Sequence, residues 1–223
     1  DTITSGATMN ALMLASRARG KTVLRNAAKD PEVVDTANFL NQMGANISGA
    51  GTDTIRIEGV SSLQGCAYTV IPDRLIAGTF LIAAGVTGGA VTVENAIPEH
   101  LGSCIAKLQE IGLHIESSAN ALTAYSTGTL RATRVRTAMY PGFATDLQQP
   151  LTALLLQAPG KSIVNDRIYP KRFNHVHQLR RMGAEIELRT GVAFIKGGVP
   201  LRGSIVHASD VRAGMCLMLA GLA

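Results

Sequence analysis

The amino-acid sequence predicts an α/β protein built from repeated βαβαββ units and truncated at both ends. Three observations lead to this prediction. A glycine recurs at a nearly fixed interval, at Gly44, Gly112 and Gly183, and such recurrence indicates a repeated structural unit. Each glycine follows an amphipathic stretch and precedes an alternating one, which is typical of a helix end. A short β-like run stands upstream of each helix, as expected when strands and helices alternate.

The first copy of the unit is predicted to lack its opening strand, because the chain starts directly with a helical pattern. Asp30 precedes Pro31 and Glu32, an arrangement that favours a helix start since proline fits the first helical turn. Glycines at 49 and 51 mark the turn between two alternating runs. The predicted elements are helix 5–19, strand 22–25, a helix from Asp30, and strands 45–48 and 54–58.

Two complete copies are predicted to follow, near residues 67–125 and 132–196. In these two copies, the strand that precedes the second helix is expected at 91–94 and at 162–165, respectively. Residues 204–223 match only an opening strand and a helix. Since the pattern both starts and stops within a unit, we expect the sequence to be a fragment of a longer protein.

Composition limits the class of protein before any motif is considered. Hydrophobic residues make up 46% of the 223-residue chain, which is typical of a globular protein and not of a disordered one. The net charge of +5 favours an anionic partner. Lys and Arg do not form a cluster interleaved with aromatic residues, so we do not expect a nucleic-acid partner. The apolar runs are too short for a membrane span, so none is expected.

The three cysteines, Cys66, Cys104 and Cys216, are far apart in the sequence and form no Cys-x-x-Cys pair. This pattern favours reduced thiols in a cytoplasmic protein. Cys104 and Cys216 stand in apolar stretches and are expected to be core residues. His175 and His177 have no further residues at metal-ligand spacing. We therefore interpret both histidines as surface or packing residues and expect no metal.

The stretch Thr4-Ser5-Gly6 opens the first predicted helix. Free backbone N–H groups at a helix N-terminus attract anions, and a glycine there lets a phosphate approach closely. An ordinary Ser/Thr cap is the alternative interpretation, and it is the more common arrangement. The residues alone leave both possibilities open.

Two aspartates also precede predicted helices. Asp146 follows a Pro/Gly loop, where a carboxylate at a helix start can accept a proton from a substrate. A capping role is the alternative for Asp146. Asp210 and Arg212 repeat the arrangement before the last helix, and a solvated surface pair is the alternative for them.

Six segments spread over nearly the whole chain carry a family resemblance. They are residues 26–40, 49–55, 71–74, 141–146, 172–176 and 208–213. Together, and in the same order, they resemble the enolpyruvyl transferase family, and specifically its UDP-N-acetylglucosamine 1-carboxyvinyltransferase branch.

The resemblance implies a fold of two domains, each an inside-out α/β barrel of three βαβαββ units with helices inside and sheets outside. Residues 1–65 would then be the last repeat of the first domain. Residues 66–223 would be most of the second domain, with two full repeats and the start of a third.

The resemblance also implies a reaction, in which the enolpyruvyl group of phosphoenolpyruvate is transferred to the 3′-hydroxyl of UDP-N-acetylglucosamine. Asp146 corresponds to the general base that contacts the sugar hydroxyl. Ile168 corresponds to a contact with the nucleotide sugar. Arg172, Asp210 and Arg212 correspond to charged residues near phosphoenolpyruvate. The segment that holds the uridine diphosphate corresponds to Thr2, Ile3, Thr4 and Ser5.

No cofactor or metal is implied. Such an enzyme would be cytoplasmic and would serve peptidoglycan synthesis, and through it cell-wall biogenesis, cell shape, the cell cycle and cell division. None of the three cysteines corresponds to the catalytic cysteine of the family. We therefore expect this chain alone to be inactive and the intact protein to be a transferase.

Two alternatives remain open. The first is the enolpyruvyl transferase of the shikimate pathway, whose small acceptor would not need a nucleotide-binding segment at residues 2–6. The second is a non-catalytic paralogue that keeps the scaffold as a regulatory or interaction module.

Overall fold

The computed structural model describes residues 3–126 and 128–223. The chain divides into two compact units. The first comprises residues 1–71 and 139–141, and the second comprises 72–138 and 142–223. The assignment of residues 1–65 and 66–223 to two domains of a longer enzyme stays a prediction.

The first unit contains two helices and a three-stranded antiparallel sheet in the order β1-β3-β2. Its core is formed by aliphatic side chains of both helices and of β3, among them Leu12, Val33, Ile55 and Ile57. The sequence-predicted elements are confirmed, although the first helix ends earlier than expected. The elements are α1 (Ser5–Ala15), β1 (Lys21–Arg25), α2 (Pro31–Gln42), β2 (Asn46–Ser48) and β3 (Thr54–Glu58).

The second unit contains five α-helices and two sheets among its described residues. One sheet has the order β4-β6-β5, and the other has the order β7-β8-β10-β9. A single 3₁₀ turn at Pro98–Leu101 leads into α4. The helices are α3 (Arg74–Thr87), α4 (Gly102–Ile111), α5 (Thr145–Gln157), α6 (Asn174–Arg181) and α7 (Val211–Gly221). The strands are β4 (Ala90–Glu94), β5 (Leu113–Ser117), β6 (Ala121–Ser126), β7 (Arg134–Arg136), β8 (Gly160–Asn165), β9 (Glu185–Arg189) and β10 (Val192–Gly197).

Helix α5 is the centre of the second unit. Every residue of this helix from Leu147 to Leu156 is buried, and the helix packs against α3 and α7. A helix that is buried on all sides belongs to the interior of a domain. The strands instead expose alternate residues, as in β4 and β9. In this unit the helices therefore lie inside and the sheets outside, which is the arrangement that the resemblance implied.

The three repeat glycines adopt the left-handed backbone conformation, with φ of 99° at Gly44, 118° at Gly112 and 92° at Gly183. Each ends the second helix of its repeat, as the sequence predicted, because residues with a Cβ rarely adopt this conformation. The carbonyl before each glycine accepts a backbone hydrogen bond from a residue some 20 positions later. These bonds join Gln64 to Met43 (2.8 Å), Arg131 to Ile111 (2.7 Å) and Arg202 to Met182 (2.7 Å).

The opening strands predicted near residues 67 and 204 are not formed, since residues 59–73 and 198–210 contain no strand. The corresponding strand of the intervening repeat, β7, exists because it pairs in parallel with β8. Residues 67 and 68 are held by α2 instead. The amide of Gln42 donates to the Ala67 carbonyl (2.8 Å), and the Tyr68 hydroxyl donates to Asp35 (2.7 Å). Residues 198–210 pair with no strand among the described residues.

Candidate active site

A groove with a volume of about 720 Å³ lies beside the first turn of α5 in the second unit. One side is formed by the loop that leaves β8, and the other side by a carboxylate of α5. Of the sequence-predicted site residues, Asp146, Ile168 and Arg172 line this groove. The remaining lining residues are Tyr169, Pro170 and Lys171.

Asp146 binds two arginines from distant parts of the chain. Its Oδ1 accepts a hydrogen bond from Nη1 of Arg172. Its Oδ2 accepts from Nε of Arg212 at 2.9 Å and lies 2.8 Å from Nη2 of the same side chain. Ala144 stands at the N-cap position of α5, where no side chain makes a capping bond. The alternative interpretation of Asp146 as a helix cap is therefore wrong.

Arg212 reaches Asp146 from the first turn of α7. This helix is capped by Asp210, whose Oδ1 accepts hydrogen bonds from the backbone N–H groups of Arg212 and Ala213, both at 3.0 Å. Partial burial alone would raise the pKa of Asp210. The bond from Ala213, the Ser209 hydroxyl, the bond from Arg212 and the charge of Arg172 outweigh burial, so the pKa is lowered.

The arrangement around Asp210 corrects the surface-pair interpretation. Only 15% of the Arg212 side chain is exposed, and its guanidinium binds Asp146. The guanidiniums of Arg172 and Arg212 bind the Asp146 carboxylate in the first turn of α5, while the Asp210 carboxylate occupies the N-terminus of α7. Both guanidiniums retain N–H groups that do not bind Asp146, and such groups suit an anionic ligand.

Arg172 is fixed by its backbone as well as by its side chain. Its N–H donates to the Tyr169 carbonyl at 2.9 Å. Its own carbonyl accepts from the side-chain amides of Gln148 (2.8 Å) and Gln149 (3.3 Å), which are buried in α5. The guanidinium carbon also lies 5.3 Å from the centroid of the Tyr169 ring, within cation–π range. The direction of the Arg172 side chain is thus set by the fold.

Sequence reasoning missed Asp166, which directly follows β8. Its carboxylate is 1% exposed and accepts bonds from the hydroxyls of Thr137 and Thr145 and the backbone N–H groups of Ile168 and Tyr169. The available signal in the sequence was an acidic residue directly after a strand that has buried positions. That signal does not say which distant hydroxyls the carboxylate would bind.

The predicted residues of the first unit lie at the start of α1. Thr4 is the N-cap, and its Oγ1 accepts from the N–H of Ala7 at 3.2 Å. The capping interpretation is therefore confirmed, while the anion site at Thr4 and Ser5 stays a prediction. Ile3 is partly buried against the core of this unit. Thr2 lies outside the described residues.

His175 is fully buried, and its ring stacks on Phe173 with 5.9 Å between centroids. Burial lowers the pKa of His175 to about 4, against the opposing influence of the Asp210 charge. His175 is thus the packing residue that the sequence predicted, and the exposed His177 is the surface residue. Within residues 3–126 and 128–223, no group of three or more His, Cys, Asp or Glu side chains could hold a metal ion.

Cys104 and Cys216 are core residues, as predicted, with exposures of 1% and 0%. Burial raises the pKa of the Cys104 thiol to about 12, and it also raises the pKa of Cys216. Neither thiol has the character of a nucleophile. No helix of the described residues combines the length and apolar character needed to cross a membrane.

Comparisons with known proteins place the chain in a family context. The model of the EPSP synthase (3-phosphoshikimate 1-carboxyvinyltransferase) family matches residues 1–223. The UDP-N-acetylglucosamine 1-carboxyvinyltransferase 2 of Geobacillus kaustophilus (strain HTA426) is 50% identical over 222 residues, which is 100% of this chain and 52% of that protein. The enzyme of the same name from Bacillus subtilis (strain 168) is 52% identical over 223 residues, again with 100% and 52% covered.

A solved structure is similar as well. The crystal structure of the enolpyruvyl transferase NikO from Streptomyces tendae superposes with a TM-score of 0.84 at 27% identity, and it covers 98% of this chain and 52% of that chain. The chain thus spans about half the length of the curated relatives that it matches.

Proposed function

This chain belongs to the EPSP synthase family, and we propose that the protein containing it transfers the enolpyruvyl group of phosphoenolpyruvate to the 3′-hydroxyl of UDP-N-acetylglucosamine. The bond between the enolpyruvyl carbon and the phosphate oxygen breaks, and an ether bond forms between that carbon and the sugar oxygen. Inorganic phosphate leaves, and it carries the proton equivalent that the sugar hydroxyl loses. Over the whole length of this chain, 50% and 52% of the residues are identical to those of two enzymes named for this activity, and this identity supports the choice of acceptor.

The observation that carries the proposal is the position of Asp146 between Arg172 and Arg212 at the edge of a groove. Side-chain exposure of 25% leaves the Asp146 carboxylate accessible. Each carboxylate oxygen has more than one lone pair, so Asp146 can accept a further bond from a sugar hydroxyl while both arginines remain bound. It is then placed to take the hydroxyl proton as a general base.

The arginines supply the positive charge that phosphoenolpyruvate requires. A guanidinium binds carboxylate and phosphate through paired donors, and Arg172 and Arg212 each retain N–H groups that do not bind Asp146. Asp210 maintains the start of α7 and thereby the position of Arg212. Ile168 supplies an apolar contact within the groove for the nucleotide sugar.

For the first unit, we propose that Thr2, Ile3, Thr4 and Ser5 hold the uridine diphosphate. Support comes from the N-terminus of α1, which Thr4 caps and which is favourable for a phosphate. We further propose that residues 1–65 and 66–223 belong to the first and second domains of the intact enzyme.

The cellular role that we propose is the first committed step of peptidoglycan precursor synthesis in the cytoplasm. Cell-wall biogenesis, cell shape, the cell cycle and cell division would depend on this step. The proposed chemistry uses side chains and substrates only, without a cofactor.

The test is a phosphate-release assay with the full-length protein, phosphoenolpyruvate and either UDP-N-acetylglucosamine or shikimate 3-phosphate. We expect release only with the nucleotide sugar. Release only with shikimate 3-phosphate would assign the protein to the shikimate pathway instead. Absence of release with both acceptors would favour a non-catalytic paralogue. The 223-residue chain alone is expected to be inactive.

A further inference from the structure

We propose that Asp166 is a positioning residue that fixes the distance between the two sides of the groove beside Asp146. The kinetic consequences of this inference rest on the proposed function. The structural part, that one buried carboxylate connects α5 to the loop carrying Ile168 and Arg172, can be tested without any activity.

The Asp166 carboxylate has four donors. Its Oδ1 accepts from Thr137 Oγ1 at 2.8 Å and from the backbone N–H groups of Ile168 and Tyr169, both at 2.9 Å. Its Oδ2 accepts from Thr145 Oγ1 at 2.7 Å. A carboxylate that is 1% exposed is stable only with such a set of partners, because burial removes its hydration.

The donors lie on both sides of the groove. Thr145 is the first residue of α5 and directly precedes Asp146. The N–H groups of Ile168 and Tyr169 belong to the loop that forms the opposite side. Thr137 adds a second contact to that loop, since its Oγ1 also accepts from the N–H of Arg167 at 3.0 Å. Asp166 thus joins the base-bearing helix to the arginine-bearing loop.

The connections form a closed circuit. From Asp166, the circuit passes through Thr145 to Asp146, whose carboxylate binds Arg172. The Arg172 N–H binds the Tyr169 carbonyl, and the Tyr169 N–H returns to Asp166. A closed circuit resists displacement of any one member, so the distance between Asp146 and the loop is fixed before substrate binds.

Asp166 acts through these neighbours and not on the substrate. It is buried and does not line the groove. Loss of its carboxylate would free the loop and leave buried donors without acceptors. Since a displacement of about 1 Å can lower a rate roughly a hundredfold, we expect Asp166→Ala to reduce kcat by about ten- to a hundredfold.

Asp166→Asn separates geometry from charge. The Asn carbonyl can replace Oδ1 as acceptor for both N–H groups and for Thr137. The Asn amide can donate to Thr145, whose hydroxyl rotates to accept. If Asp166 acts by position, this variant should stay within about threefold of the wild-type kcat, a small change on the free-energy scale of catalysis.

The experiment uses the full-length protein with Asp166→Ala, Asp166→Asn and Thr145→Val. The readouts are kcat, KM for each substrate, and amide hydrogen exchange of residues 167–172. Ser162→Ala is the matched control, since Ser162 is a buried β8 residue whose hydroxyl binds the N–H of Thr133 at 3.2 Å and not the loop. Thr145→Val removes a single bond and keeps the test informative if Asp166→Ala fails to fold.

Faster exchange in 167–172 and a lower kcat for Asp166→Ala and Thr145→Val, with both restored in Asp166→Asn and unchanged in Ser162→Ala, would support the proposal. Unchanged exchange in Asp166→Ala would overturn it. An Asn variant as impaired as the Ala variant, with normal exchange, would also overturn it in favour of a charge effect. An inactive wild-type protein would count against the proposed function, while the exchange data would still decide the role of Asp166.

Discussion

Oδ2 of Asp146 lies 2.9 Å from Nε and 2.8 Å from Nη2 of Arg212, although the two residues are 66 positions apart in the chain. The contact joins the first turn of the central helix α5 to the first turn of α7. It brings a carboxylate and a guanidinium from two successive repeats into one site.

Asp146→Ala in the full-length protein should lower turnover by about a hundredfold or more, the usual scale for loss of a general base. The assay is phosphate release with saturating UDP-N-acetylglucosamine and phosphoenolpyruvate. Glu185→Ala is the control, because Glu185 is an exposed carboxylate paired with Lys196 on the outer sheet. Near-normal turnover of Asp146→Ala would show that this carboxylate has only a structural role.

Arg212→Lys should reduce kcat/KM by roughly ten- to a hundredfold. Lysine keeps the charge but cannot place two donors on one oxygen of Asp146, and the loss of a charge-assisted bond is worth about 1.5–3 kcal/mol. Steady-state kinetics with phosphoenolpyruvate as the varied substrate measures the effect. Arg189→Lys is the matched control, because the Arg189–Glu187 pair is largely exposed on β9. Equal kinetics for the two variants would contradict the role of the guanidinium.

The stability of the protein should fall as the pH decreases from 6.5 to 4, in part because of His175. Burial lowers the pKa of His175 from 6.5 to about 4 in the folded state. In this window the unfolded chain binds a proton that the native state does not, so protonation favours unfolding. The contribution is present in full above pH 6.5 and its loss is on the order of 3 kcal/mol at pH 4.

Urea unfolding at a series of pH values measures this contribution. His175→Phe should flatten the dependence between pH 6.5 and 4, whereas His177→Gln, at an exposed position, should leave it unchanged. An identical slope in the wild type and in His175→Phe would mean that carboxylates account for the whole dependence.

Gly197→Ala should destabilise the second unit by about 1–3 kcal/mol or prevent its folding. A Cβ at Gly197 would overlap the carbonyl oxygens of Leu155 and Ala158 at the end of α5, and neither backbone group can move aside freely. Gly203→Ala is the control, since a Cβ there meets no atom within 4 Å. Thermal unfolding of both variants distinguishes them, and equal midpoints would refute the close approach.

Among the three cysteines of this chain, Cys66 should react first with iodoacetamide. Cys104 and Cys216 are buried and their thiol pKa values are raised by burial, so the reactive thiolate is scarce and inaccessible. Cys66 is partly exposed. Peptide mass mapping after brief labelling of the native full-length protein checks the order. Early modification of Cys104 or Cys216 would indicate local opening of the second unit.

Much of the fold could be predicted because it is encoded locally. Gly44, Gly112 and Gly183 mark helix ends, since a left-handed residue strongly favours glycine whatever surrounds it. Alternation predicted β3 and β9 because one face of each strand is buried. The opening strands near residues 67 and 204 could not be predicted correctly, because strand formation there requires a partner strand that local sequence does not reveal.

The site was predictable only in part. The place of Asp146 after a Pro/Gly loop predicted a site residue there. The resemblance to the enolpyruvyl transferase family implied four more, Ile168, Arg172, Asp210 and Arg212. Local reasoning left Asp146 as either a cap or a base, since both occur at helix starts. It gave no reason to single out Asp166.

The sequence by itself determined the order of most helices and strands and the ends of the three helices that precede Gly44, Gly112 and Gly183, because glycines, prolines and apolar periodicity act within a few residues of one another. It also determined the number of repeats. Only the tertiary structure decided that Asp146 would bind Arg172 and Arg212 and that Asp166 would connect α5 to the loop after β8. Those contacts join residues from different repeats and elements, and their geometry depends on how the buried helices pack, which no local pattern specifies.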